Sequence, residues 1–291
     1  MLRDPFDRPV SNIRVSLTPT CNLRCIYCHA EGEKNAGAQI GVGDIAAVLE
    51  VAKGIGIRSV KFTGGEPTLR EDLPEIISSV PCGMESSMTT NGTLLADIAR
   101  DLRSAGLSRV NVSLDSLDPE NYQKITGCDR LCDVLSGIEA ALDAGLTPIK
   151  LNMVVLEGIN DQEIPSFLEY VRGNRDLVLQ LIELMEFRDC HHHSDLTGVE
   201  ERLAAESRQI TTRRMHRRRK YCIDGAEVEV VRPLHNTEFC AFCNRIRVTS
   251  DGKLKPCLLR NDNHVDILGK RGHELEELFA EAVRRRAPFF T

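Results

Sequence analysis

Cys21, Cys25 and Cys28 stand in the run TPTCNLRCIYC with the spacing C-x3-C-x2-C. One short loop therefore offers three thiolates. An iron–sulfur cube held at every iron takes four protein ligands, so three ligands leave one iron open, and an open metal position is where chemistry occurs. Structural zinc sites favour four ligands in two pairs, which this spacing does not supply. A second set, Cys240, Cys243 and Cys257, reads C-x2-C-x13-C within EFCAFCNRIRVTSDGKLKPCLL. Here three readings stand open: zinc completed by Cys222 or a histidine, a fully ligated electron-transfer cluster completed by Cys222, and a second open cube that touches substrate.

The elements that must position these groups alternate. Short runs rich in Val and Ile predict strands at Ile13–Leu17, Ser59–Thr63, Glu85–Thr89, Arg109–Asp115, Pro148–Val155 and Leu177–Met185. Helical spacing predicts helices at Ile45–Ala52 (capped by Asp44), Leu73–Val80, Leu94–Ser104, Leu131–Ala144 and Ile164–Arg172. Gly54, Gly106, Gly145 and Gly173 close several of them. Six strand–helix alternations predict a parallel sheet with right-handed crossovers, short of the eight of a full barrel. The fold class is α/β, a partial (β/α)6 barrel over residues 1–186. In such folds ligands bind at the carboxyl ends of strands. Polar clusters at Thr18–Cys28, Thr63–Pro67, Thr89–Gly92, Ser113–Ser116 and Glu183–Glu186 predict one active site on one face.

Residues 187–220 read as polar and mostly helical. Two Asx-Gly turns then predict hairpins, Arg219–Ile223 with Glu227–Val231 and Arg245–Thr249 with Lys253–Cys257, and Glu274–Arg286 reads as a closing amphipathic helix. Residues 187–291 thus form a small C-terminal α+β extension that carries the second cysteine set.

Composition bounds the function. The chain has 291 residues and is 42% hydrophobic, enough for one large α/β domain plus an extension. A net charge of -6 argues against general nucleic-acid binding. No apolar run is long enough for a membrane span, and the start MLRDPFDRPV lacks the apolar stretch of a secretory signal, so a cytoplasmic location is expected. Eleven cysteines in a reducing compartment point to metal or catalytic roles rather than disulfides. Cys82, Cys128, Cys132, Cys190 and Cys222 read as ordinary small core residues. The basic run Arg213–Lys220 reads as a solvated helix face or a nucleic-acid patch, and His191–His193 as an exposed loop.

The first cysteine loop, with Tyr27 before its third cysteine, resembles the signature of the radical S-adenosylmethionine (SAM) superfamily. The resemblance implies that the open iron chelates SAM, and that one electron splits SAM into methionine and a 5′-deoxyadenosyl radical. With Asn244-Arg245-Ile246-Arg247 following the second pair, the chain from Ile13 to Leu259 resembles the GTP 3′,8-cyclase family of molybdenum cofactor biosynthesis. That resemblance implies a radical SAM barrel, two [4Fe–4S] clusters, SAM, and GTP as substrate, with (8S)-3′,8-cyclo-7,8-dihydroguanosine 5′-triphosphate as product. It also implies a low-potential electron donor, ferredoxin or flavodoxin, and hand-over to the cyclic pyranopterin monophosphate synthase. A homodimer is compatible with the sequence.

Residue by residue, the resemblance places Cys21, Cys25 and Cys28 on the SAM cluster and Cys240, Cys243 and Cys257 on the guanine cluster. It assigns Gly64, Gly65 and Glu66 of the GGEP turn to SAM, with Tyr27, Asn91, Ser113 and Met185. Glycine there would let the backbone approach a ligand closely. Arg14, Lys61, Lys150, Arg245 and Arg247 are assigned to GTP, and Arg14, Arg245 and Arg247 to steering the reaction. Arg245 and Arg247 alternate along a strand and so share a face. Two rivals are weighed. A radical SAM enzyme with an auxiliary cluster acting on a peptide would bind no GTP. A metal-stabilised binding protein would release no deoxyadenosine.

Overall fold

The computed structural model describes residues 1–33, 39–185, 190–213, 215–233 and 237–289. Six parallel strands form its centre: β1 (Asn12–Ser16), β2 (Ser59–Thr63), β3 (Glu85–Thr90), β4 (Arg109–Ser113), β5 (Ile149–Val155) and β6 (Leu177–Glu183). Helices α1 (Val42–Gly54), α2 (Leu73–Ser78), α3 (Leu95–Ser104), α4 (Pro119–Thr126), α5 (Leu131–Asp143) and α6 (Ile164–Val171) fill the crossovers. The strands are not apolar on both faces. In β5, Ile149, Leu151, Met153 and Val155 are buried against the helices, while Lys150, Asn152 and Val154 are half-buried on the other face. That period of two marks a barrel wall whose inner side lines a polar chamber.

The helix boundaries differ from the sequence reading where local chemistry is subtle. Asp44 lies inside the first turn of α1 and pairs with Arg271 at 2.7 Å; Gly41 is the cap. Gly54 is the last helical residue, and Gly56, at φ 96°, takes the left-handed turn instead. Helix α4 was not expected, although its signals were present. Asp118 accepts from Asn121 N at 2.9 Å, Pro119 opens the helix, and Gly127 closes it at φ 75°.

The C-terminal residues supply α7 (Thr197–Glu206), β7 (Gln209–Thr212), β8 (Arg219–Ile223), β9 (Ala226–Val231), α8 (Thr237–Ala241), β10 (Arg245–Val248), β11 (Lys253–Lys255), β12 (Val265–Asp266) and α9 (Gly272–Arg284). Both expected hairpins form. Their strands extend the central sheet at both edges, in the order β12-β11-β10-β1-β2-β3-β4-β5-β6-β9-β8-β7. β10 runs parallel to β1 and β9 parallel to β6. Residues 209–212, read as helical, form strand β7. The basic run at 213–220 is a tight turn at Met215–Arg217 leading into β8, not a helix face; Arg214 lies outside the described residues. The expected boundary at residue 186 also falls outside them. Helix α9 buries Leu275, Phe279, Ala282 and Val283 and packs against α1 and β12, covering that end of the sheet.

Candidate active site

The first cysteine loop leaves the carboxyl end of β1. Backbone N–H groups of Leu23 and Ala30 each donate to a sulfur, Cys21 Sγ and Cys28 Sγ, at 3.4 Å, and Asn91 Nδ2 approaches Cys21 Sγ at 3.8 Å. Donors aimed at sulfur suit thiolate ligands of an iron–sulfur cluster. Burial pushes the Cys21 and Cys25 thiols up, so iron would displace protons on binding.

The GGEP turn locks onto this loop. Gly65 N donates to Thr18 O at 2.6 Å and Glu66 N to Thr20 O at 2.7 Å. A Cβ on Gly65 would lie 2.1 Å from Thr20 O, so this backbone contact admits only glycine. Glu66 is buried, and its carboxylate accepts from Thr68 N, Thr68 Oγ1, Thr90 Oγ1 and Asn91 N at 2.6–3.0 Å. It therefore ties the turn to the end of β3. Asn91 bonds Asn22 and Thr93 as well as the Cys21 sulfur. Tyr27 Oη donates to Asp115 Oδ2 at 2.6 Å, and Val154 N donates to Asp115 Oδ1 at 2.8 Å. Asp115, missed as a site residue, joins the cysteine loop to β5. Ser113 ends β4 and Met185 follows β6, both half-buried.

Beneath this loop lies a ring of cations. Pairing of β10, β1 and β2 sets Arg247, Arg14 and Lys61 in one row across the sheet. Arg247 Nη1 reaches Glu31 Oε2 at 2.5 Å, Arg14 Nη1 reaches Glu31 Oε1 at 3.4 Å, and Thr63 Oγ1 donates to Glu31 Oε1 at 3.0 Å. Burial works against the Glu31 charge, but Arg247 and Arg14 overcome it and hold the carboxyl well below its usual range. Burial brings Arg14 down to about 10. Burial also lowers Lys61, half-buried near Arg14, Arg109 and Arg245, and its Nζ donates to Asn111 Oδ1 at 2.8 Å. Lys150 is lowered to about 8 by burial, against the pull of Glu229, which it meets at 2.7 Å.

Glu229 is fully buried among Lys150, Arg213 and Arg218. Arg218 also donates to Gln180 Oε1 at 2.9 Å, and Gln180 Nε2 to Asn152 Oδ1 at 2.9 Å. Arg218 is thus drawn inward from a charge run that suggested solvent, whereas Arg213 is exposed, as that run suggested, and reaches Glu229 from the surface. His216, buried at φ 60°, stacks on Phe239 with ring centroids 3.7 Å apart. Burial and the nearby Arg245, Arg218, Arg14 and Arg247 hold its imidazole neutral. His191–His193 lie away from this ring: His193 bridges Leu156, and His192 Nδ1 contacts Glu157 O at 3.0 Å.

Cys240 lies in α8 and Cys243 just before β10. Because β10 runs parallel to β1, this pair sits at the opposite end of that edge from the first loop, separated by the length of β1, about 17 Å. The polar clusters at the carboxyl ends of β1 to β4 gather at one end as expected, and the second cysteine set lies at the other. Arg247 pairs with Lys255 across the hairpin. Continuing that register brings Cys257, two residues past the end of β11, level with Arg245. Burial raises the Cys243 thiol, but Arg286, Arg245 and Arg8 outweigh it and bring it down, which suits a thiolate ligand. Among the described residues no three His, Cys, Asp or Glu side chains converge on a single-ion site. A cube instead takes each thiolate on a different iron, so its ligands need not converge. Arg217 lies over the ring of Phe242, next to Cys243, at 4.8 Å to its centroid, and Cys222 stands five residues further along the chain, opposite Gln209 and Glu227 near the far turn of the β8–β9 hairpin. The reading in which it completes the second set has no support there.

A parallel partial barrel with three thiols at its mouth and a cationic interior defines the class, a radical SAM enzyme. The radical SAM superfamily family model matches residues 15–171, and that for Molybdenum Cofactor Synthesis C matches residues 177–291. The chain is 50% identical over its whole length to a protein of Methanocella arvoryzae, covering 95% of that relative, and 50% identical to one of Archaeoglobus fulgidus, covering 99%. Each is named "Probable GTP 3',8-cyclase". This chain belongs to the GTP 3′,8-cyclase family of radical SAM enzymes. Among solved structures, Streptococcus suis SuiB bound to S-adenosylmethionine superposes with a TM-score of 0.67 at 16% identity, over 94% of this chain and 66% of SuiB. Native anSMEcpe with bound AdoMet gives 0.60 at 18% identity, over 91% and 80%. At these identities the likeness concerns the fold.

Proposed function

We propose that this chain converts GTP to (8S)-3′,8-cyclo-7,8-dihydroguanosine 5′-triphosphate as a GTP 3′,8-cyclase of molybdenum cofactor biosynthesis. The observation that carries the reading is the row Arg247–Arg14–Lys61, lying between two separate three-cysteine sets. A triphosphate needs such a cluster of guanidinium and ammonium donors. A peptide substrate does not, and this favours the cyclase over a peptide-modifying radical SAM enzyme.

Cys21, Cys25 and Cys28 hold the SAM cluster, and Cys240, Cys243 and Cys257 hold the second. When bound, the first cluster and SAM supply the one-electron chemistry that starts the reaction. The protein supplies position. Gly64, Gly65, Tyr27, Ser113 and Met185 form the SAM seat, while Glu66 and Asn91 fix its walls. Arg14, Lys61, Lys150 and Arg247 hold phosphates. Arg245, half-buried near Arg14, Arg247 and Cys243, faces the nucleoside end. The sheet and its helices exclude water from this space. Residues 1–186 and 187–291 act as core and extension of one chamber.

The electron donor is a ferredoxin or flavodoxin, and the product passes to the cyclic pyranopterin monophosphate synthase. A homodimer is consistent with this reading. Among the described residues no helix is long and apolar enough to cross a membrane, and no disulfide links the eleven cysteines. A reducing cytoplasm suits them.

The test supplies anaerobic protein carrying about eight irons with SAM, reductant and GTP deuterated at C3′. Deuterium in the 5′-deoxyadenosine is the expected result. Unlabelled deoxyadenosine would move the assignment to another substrate.

A further inference from the structure

The two ends of the chain meet behind the second cysteine pair. Asp4, Arg8 and Arg286 are all buried there. Asp4 Oδ1 accepts from Phe6 N at 3.0 Å and Arg8 N at 2.9 Å; its Oδ2 accepts from Arg8 Nε at 2.6 Å and lies 3.1 Å from Arg286 Nη1. One carboxylate thus holds two guanidiniums. Arg8 Nη1 donates to Cys240 O at 2.9 Å, and Arg286 Nη2 donates to Cys243 O at 2.7 Å. Arg8 also holds the tail, donating to Pro288 O at 2.8 Å and Ala287 O at 2.5 Å. Each cysteine of the pair therefore has its own carbonyl bound by its own arginine.

We infer that the Asp4–Arg8–Arg286 clamp positions and electrostatically tunes the second iron–sulfur cluster; this rests on the two-cluster reading above. Two cations and one anion leave a net positive charge buried directly behind the Cys240–Cys243 loop. A cube on three thiolates is anionic, and reduction makes it more so. A fixed positive charge beside it stabilises the reduced form, and net charge and hydrogen bonding are the terms by which a protein sets a cluster's potential. The donors reach the cysteine carbonyls rather than the sulfurs. The clamp therefore also fixes the backbone turn in which Cys243 N donates to Cys240 O at 3.1 Å. Among the described residues no hydrogen bond or ion pair joins Asp4, Arg8 or Arg286 to Arg14, Lys61 or Arg247, so their effect reaches the reaction through the cluster.

The test compares reconstituted wild type with Arg286→Gln and Arg286→Lys, following each cluster by EPR during a redox titration. The first cluster's signal, recognised by its change on adding SAM, reports that the barrel is intact. Expected is about a tenfold loss of reduced second cluster at fixed potential in Arg286→Gln, equivalent to 59 mV for one electron. The first cluster should be unmoved, and Arg286→Lys should stay near wild type. A second-cluster potential and line shape unchanged in both Arg286→Gln and Arg8→Gln would overturn the inference. So would a change shared equally by both clusters in the Gln and Lys variants. Wild type with only about four irons would instead fail the two-cluster reading itself.

Discussion

Replacing Glu31 by glutamine tests the cationic row directly. The Glu31 carboxylate occupies the place between Arg14 and Arg247 where a phosphate should bind. The crevice it shares with Arg14, Thr63 and Arg247 has a volume of about 10 Å³, room for about one water, so Glu31 and a phosphate cannot occupy it together. Two ion pairs at 2.5 and 3.4 Å attract by about 7 and about 5 kcal/mol at an effective dielectric of 20. Desolvation of the buried groups offsets most of that. Glu31→Gln keeps the shape and a hydrogen bond to Thr63, but leaves two guanidiniums facing each other without their anion. The expected cost in denaturant unfolding is about 3 kcal/mol. The opposite sign is expected for ligand. With the internal competitor removed, inorganic triphosphate and GTP should bind about tenfold tighter by equilibrium dialysis, a gain of about 1.4 kcal/mol. Equal or weaker triphosphate binding by a folded Glu31→Gln protein would refute the argument that Glu31 occupies the phosphate site.

Other consequences follow from the same chamber. Burial raises the Asp115 carboxyl to about 6, so the native state binds that proton more tightly than the unfolded chain. Wild type should gain up to about 3 kcal/mol as pH falls from 6 towards 4, and Asp115→Asn should lack the gain in paired denaturant titrations. Lys150, lowered by burial to about 8, loses its charge as pH rises through that value. Triphosphate affinity should therefore fall above pH 8 in wild type and lack this limb in Lys150→Met. Gly65→Ala forces a methyl against Thr20 O. It should lower stability by about 3 kcal/mol and weaken SAM retention, read by unfolding and equilibrium SAM binding. Cys222→Ala should keep about eight irons by iron analysis, whereas Cys25→Ala should lose SAM cleavage.

What the sequence determined by itself is local. Two three-cysteine spacings, a GGEP turn and the N-R-I-R run are each held within a few residues, so their chemistry is legible without a fold. The six core strands are legible too, because short Val- and Ile-rich runs mark buried strands, whereas the alternation that turns one face of β5 to a polar interior emerged only in the structure. The hairpins at Gly225 and Gly252 follow, since few residues other than glycine adopt φ of 90° and 79°. Tertiary structure decided which distant groups meet. Parallel pairing of β10 with β1 put the second cysteines at the far end of the chamber. Arg218 and His216 lie in a stretch that read as a charge run, Glu31 lies just past the cysteine loop and Glu229 within an expected hairpin strand, and only the strands added at the two sheet edges bring them to the cations. Asp4, Arg8 and Arg286 come from opposite ends of the chain and meet behind one loop. No periodicity encodes such a meeting, because a buried charge is stable only where its partner arrives, and the partner's arrival is set by the whole fold.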